Sequence, residues 1–150
     1  MHIVFMGTPE YAVQSLEALV ENGYEVAGVF TQPDKPRGRG GKVQMPEAKE
    51  YANSRGIPVF QPRKIRADGV DALKALAPDL CVTAAFGQIL SQEILDIPTF
   101  GTINVHASLL PKYRGSSPIN WCLINGETVT GVTTMLTAAG IDTGDILLQR

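Results

Sequence analysis

Four short runs, HIVFM (2–6), EVAGVF (25–30), DLCVTAA (79–85) and GTINVH (101–106), punctuate the chain. They constrain the fold more than any other feature. DLCVTAA is apolar almost throughout, which suits a strand covered on both faces, as in a parallel sheet. Between the runs the pattern turns helical: Ala12, Leu16, Leu19 and Val20 share one face, Pro46 opens a second helix reaching about Ser54, and helix propensity returns over 67–76. IPVF adds a short strand. Strands alternating with helices predict an α/β doubly wound sheet, whose ligands gather at the carboxyl ends of the strands.

Local signals set further expectations. Thr8 suits an N-cap and Pro9 the first helical position, with Asn22-Gly23 ending the helix. The stretch QPDKPRGRGGKVQ, 32–44, has no periodicity and is expected to be a long exposed loop. GDILLQR at the end reads as a strand with no helix to close over it, so the chain is expected to be a fragment of a longer protein.

Length and composition narrow the class. With 150 residues, 44% hydrophobic and 19% charged, the chain is expected to form one soluble globular domain. Its apolar runs are too short and too interrupted for a membrane span, and MHIVFMG lacks the basic start of a signal peptide. Cys81 and Cys122 lie in apolar surroundings without metal-like spacing, which fits buried thiols in a reducing cytoplasm. The formal charge of −2 argues against indiscriminate nucleic-acid coating. Its distribution is uneven, because Lys35, Arg37, Arg39 and Lys42 crowd into the 32–44 segment.

Three constellations carry chemistry. MGTPEYA lacks G-x-G-x-x-G spacing, and Gly38, Gly40 and Gly41 lack a Gly-Lys-Ser/Thr ending, so neither dinucleotide nor phosphate loop is expected. Asn104 and His106 project from one face of a strand, and IDTGD (141–145) offers Asp142 and Asp145 in a turn able to fold over the strand end. An aspartate beside the histidine would favour the imidazolium and orient it. Ser108 has no nucleophile elbow, and neither cysteine has an electropositive setting. The trio therefore suits direct acyl or one-carbon transfer, with amide and imidazolium facing an oxyanion and a carboxylate handling protons. The plainer alternatives are a structural histidine and two turn-forming aspartates. The basic segment is either a solvated connection or a phosphate contact, and Arg63, Lys64 and Arg66 could extend it.

The runs FMGTPEYA, FTQPDKPRGRGGK, INVHASLLPKYRGSSPI and GIDTGDIL, in this order, closely resemble the methionyl-tRNA formyltransferases, within the wider family of formyltetrahydrofolate-using enzymes. The resemblance covers essentially the whole chain. It implies a Rossmann-like, mostly parallel sheet and an incomplete N-terminal catalytic domain over 1–150, without the family's C-terminal β-barrel domain. It further implies formyl transfer from 10-formyltetrahydrofolate to the α-amino group of initiator methionyl-tRNA by a cytoplasmic, monomeric enzyme, with no metal and no membrane. Asn104, His106 and Asp142 would be the catalytic trio. Phe86, Gly87, Gln88, Ile89 and Leu90 would hold the pterin, with Ser108, Leu109, Leu110 and Pro111 also lining the folate site. Lys35, Arg37, Arg39 and Lys42 would meet the tRNA, Arg39 foremost. The alternatives are a small amine acceptor such as a nucleotide sugar or purine precursor, hydrolysis to formate, and a non-catalytic folate- or RNA-binding module.

Overall fold

The computed structural model describes residues 1–150. Seven strands form one sheet in the order β5-β2-β1-β6-β7-β8-β9. They are β1 (His2–Gly7), β2 (Glu25–Phe30), β5 (Val59–Phe60), β6 (Leu80–Ala84), β7 (Thr102–His106), β8 (Thr133–Leu136) and β9 (Ile146–Gln149). The first five run parallel, whereas β8 and β9 are antiparallel to their neighbours. The chain winds outward from β1 through β2 to β5, then returns to place β6 on the other side of β1. That reversal opens a crevice at the carboxyl ends of the central strands.

Alternation along β1 explains its continuous apolar character. Ile3 and Phe5 join a core with Ala12 and Leu16 of α1 (Glu10–Glu21) and Ala52 of α2 (Glu47–Ser54). Val4 and Met6 face the opposite side, meeting Leu73 of α3 (Val70–Ala75), Ile94 of α4 (Gln92–Leu95) and Ile65 of a π-helical turn (Ile65–Gly69). Both faces are covered, as a doubly wound sheet requires. At the end of β1, a Cβ on Gly7 would lie 2.7 Å from both the Ala12 Cβ and the Ala84 carbonyl. Only glycine lets strand, helix and neighbouring strand approach so closely.

Two local expectations need correction. Thr8 does not cap α1: Pro9 occupies the N-cap and no side-chain cap bond forms. The Thr8 hydroxyl instead donates to the Phe86 carbonyl at 3.0 Å and accepts from the Gln32 amide at 3.2 Å, joining the ends of three strands. The 32–44 segment is not wholly irregular either. Lys35–Arg37 (β3) and Lys42–Gln44 (β4) pair as an antiparallel hairpin, and Gly38, Gly40 and Gly41 supply the positive φ angles of its turn. Its alternation was invisible because every side chain in both strands is exposed.

No helix is long and apolar enough to cross a membrane.

Candidate active site

A cleft of about 920 Å³ opens at the carboxyl ends of β6 and β7, a volume that suits a small organic molecule. Asn104, His106 and Asp142 all line it. The first two come from β7, and Asp142 comes from the turn between β8 and β9. Because β8 runs antiparallel to β7, from beside His106 to beside Ile103, the turn leaves β8 at the amino end of β7, and residues 137–142 fold back along the sheet to bring Asp142 to His106.

The polar partners of each member define its orientation. The Asn104 Oδ1 accepts from the Thr83 hydroxyl at 2.9 Å, so its Nδ2 is left to face the cleft. Thr83 sits directly across the parallel ladder from Asn104. His106 is 7% exposed, with Nε2 2.8 Å from the Tyr113 carbonyl oxygen. Its Nδ1 lies 3.7 Å from Asp142 Oδ2. The same Oδ2 accepts from the Gly115 amide at 2.6 Å. Asp145 is absent from the cleft lining, so of the two candidate carboxylates only Asp142 reaches the histidine.

Asp142 has φ +52°. Aspartate tolerates this left-handed conformation better than most residues. Gly144, two positions on, is demanded by space: a Cβ there would overlap the Leu136 carbonyl oxygen. Non-glycine residues with positive φ cluster around the cleft, where Ala85, Tyr113, Ser117 and Asp142 stand apart from the remote Ala77. Such backbone strain persists only where surroundings hold it, and it gathers at functional sites.

Phe86, Gly87, Gln88, Ile89 and Leu90 form one wall. Gln88 lends little to a ligand, because its amide already donates to Gln32 Oε1 and the Pro62 carbonyl and accepts from the Ile65 amide. Ser108, Leu109, Leu110 and Pro111 are not brought to the cleft. Ser108 is fully buried, donating to the Lys112 carbonyl at 2.6 Å, and the facing wall is built from Ala107 and Gly115–Asn120. Tyr11 also lines the cleft, and partial burial pushes its phenol up, which keeps it protonated. No group of three or more His, Cys, Asp or Glu side chains gathers in metal-holding proximity.

The basic hairpin is anchored to α2. Arg37 donates to both carboxylate oxygens of Glu47, at 2.7 and 3.2 Å, which lowers the Glu47 carboxyl and raises the guanidinium. Asp34, at the hairpin's entry, is held below the usual carboxylate range by Gln61 and then Lys49. Lys35, Arg39 and Lys42 make no ion pair. Three of the four predicted phosphate contacts are therefore uncommitted, while Arg37 is tied to the scaffold.

Sequence reasoning did not single out Thr83 as the residue that orients the amide, nor the Tyr113 carbonyl and Gly115 amide that flank the histidine and aspartate. Backbone groups leave no residue-type signal; Thr83 could have been found only from strand register.

An open sheet with a polar cluster at its strand ends defines a ligand-binding α/β domain of the doubly wound class. The chain belongs to the formyl transferase family, whose pattern it matches over residues 1–150. It is 62% identical to methionyl-tRNA formyltransferase of Acetivibrio thermocellus over 150 residues, covering 99% of this chain and 48% of that protein. The methionyl-tRNA formyltransferase of Geobacter sulfurreducens is 58% identical over 151 residues, covering 100% and 48%. The chain thus spans about half the length of the curated relatives it matches. Among solved structures, phosphoribosylglycinamide formyltransferase from Bacillus halodurans superposes with a TM-score of 0.80 at 22% identity, covering 100% of this chain and 78% of that one. A formyltetrahydrofolate deformylase from Pseudomonas syringae gives 0.78 at 19%, covering 99% and 50%. At these identities the likeness concerns the fold.

Proposed function

We propose that this chain is the N-terminal catalytic domain of an enzyme that moves a formyl group from 10-formyltetrahydrofolate to the α-amino group of methionyl-initiator-tRNA. The observation that carries the reading is the convergence of Asn104, His106 and Asp142 at the floor of one cleft. Identity to methionyl-tRNA formyltransferases supports the acceptor. The uncommitted Lys35, Arg39 and Lys42 on the hairpin suit phosphate contact, which a small amine acceptor would not need.

The cleft's chemistry fits a folate donor: an apolar wall at Phe86, Ile89 and Leu90 for the flat ring, backbone amides and carbonyls of 86–90 for its polar edge, and a polar floor for the reacting group. When the amine attacks the formyl carbon, a C–N bond forms and the carbonyl oxygen gains negative charge. Asn104 Nδ2 and a protonated His106 Nδ1 supply donors to that oxygen. Asp142 takes the proton released by the amine and passes it toward the departing folate nitrogen, directly or through water, as the second C–N bond breaks. No covalent enzyme intermediate is needed, in keeping with the lack of an activated nucleophile.

The test is formyl transfer to methionyl-tRNA by the natural full-length protein. Formylmethionyl-tRNA should form, and His106→Ala should lower turnover by at least about 10². Release of free formate as the sole product would favour the hydrolase reading. Retention of folate binding with no turnover in either protein would favour a binding module.

A further inference from the structure

The Tyr113 side chain is held by a set of contacts outside the cleft that the chemistry above does not use. Its phenol donates to Glu127 Oε1 at 2.9 Å and accepts from Asn125 Nδ2 at 3.2 Å. Lys112 Nζ stands 3.6 Å from the same Glu127 oxygen. Glu127 follows α5 (Pro118–Ile124), and its amide is fastened to the Cys122 carbonyl at 3.1 Å. From the other side, Ser108 holds the Lys112 carbonyl at 2.6 Å. A short turn is thus moored at both ends.

The backbone of Tyr113 is what this mooring controls. Its φ of +57° is a conformation that costs a bulky residue on the order of 1 kcal/mol and has to be held by its surroundings. In that conformation its carbonyl oxygen comes 2.8 Å from His106 Nε2. A carbonyl only accepts, so the hydrogen at this contact belongs to Nε2 in either charge state of the ring. Nδ1 is then the nitrogen that gains and loses a proton, and it is the one 3.7 Å from Asp142.

Resting on the reading of His106 given above, we infer that Tyr113 and Glu127 are positioning residues, forming a strut that fixes His106 as the Nε2–H tautomer with Nδ1 turned to the reaction. Neither touches a reacting atom; both act through the Tyr113 carbonyl. Loosening the strut lets the turn swing and the carbonyl leave Nε2, after which the ring is free to exchange tautomers and rotate. Small losses of alignment at a reacting centre reduce turnover more than binding.

The experiment measures the ring directly in the natural full-length protein, labelled with ¹⁵N-histidine and compared with His106→Asn to identify the resonances. The neutral wild-type ring should show a protonated Nε2 and a bare Nδ1. Tyr113→Phe and Glu127→Ala should introduce the second tautomer and lower kcat by about tenfold, with KM for the formyl donor changed by less than about threefold. Glu127→Gln retains an oxygen to accept from the phenol and should restore both the tautomer and kcat. A wild-type ring protonated on Nδ1 when neutral overturns the inference. So does a Tyr113→Phe protein, melting at the wild-type temperature, that keeps both the tautomer and kcat. If the tautomer shifts while formyl transfer is unchanged, the strut stands and the catalytic reading of His106 fails.

Discussion

Replacing Asp142 with asparagine separates its charge from its place in the turn. Asparagine is nearly isosteric, accepts φ +52° as readily as aspartate, and keeps an oxygen for the Gly115 amide now bound at 2.6 Å. What disappears is a negative charge 3.7 Å from His106 Nδ1, between side chains only 8% and 13% exposed. At an effective dielectric of about 20, a full ion pair at that distance is worth about 4 kcal/mol, close to a thousandfold in rate if all of it is lost from the transition state, where His106 has to be protonated. The amide's own dipole recovers part of this, so kcat should fall between about 10² and 10³ in a formyl-transfer assay with saturating donor. The melting temperature should stay within about 2 °C, because the hydrogen bond and backbone conformation survive. A loss below tenfold at an unchanged melting temperature would refute the reasoning and leave Asp142 as a turn anchor. A loss accompanied by a large fall in melting temperature would refute it differently, by making the residue structural.

Gly144→Ala should destabilise the fold by about 2–3 kcal/mol, since its Cβ would overlap the Leu136 carbonyl, and thermal melting should record a drop of roughly 5–10 °C; an unaltered melt would mean the turn relaxes freely. Arg39→Ala should weaken tRNA binding and flatten its salt dependence while sparing the folate, whereas Arg37→Ala should act through the hairpin's anchorage to Glu47, shown by faster amide exchange over 35–44. Equal losses for tRNA and folate in Arg39→Ala would contradict that division. Burial pushes the Cys81 thiol up to about 12 from an ordinary 9.0. The unfolded thiol ionises first, so this residue's contribution is fully present below pH 9 and is lost as pH rises toward 12, by roughly 1.4 kcal/mol per pH unit. Urea midpoints of the wild type and Cys81→Ala, followed from pH 8 to 10, should show a steeper alkaline decline only where the thiol is present.

The layer architecture was legible in the amino-acid order. Alternation of buried strands with amphipathic helices is a short-range pattern, and the two-sided burial of Ile3, Val4, Phe5 and Met6 follows from it. The amino-acid order also placed Asn104 and His106 on one strand face, because side-chain direction alternates with position. The partner carboxylate was legible as a pair, Asp142 and Asp145, and the path of the turn decided between them: it lays Asp142 beside His106 and ties the Asp145 carbonyl to the Leu136 amide at the start of the β8–β9 pairing. The wall opposite Phe86–Leu90 required the structure as well: Ser108 and Leu110 turn into the interior and Pro111 faces solvent, leaving Gly115–Asn120 to face the cleft. The hairpin of β3 and β4 was missed because a strand pair with both faces in solvent carries no hydrophobic alternation. The commitment of Arg37 to Glu47 was missed because residue types at a distance do not reveal which charges meet. The Tyr113 carbonyl on Nε2 and the Thr83 hydroxyl on Asn104 belong to tertiary structure alone. Sequence patterns report which side chains must be buried; which atom of a backbone turn meets which ring nitrogen depends on how distant segments pack, and only the folded chain contains that information.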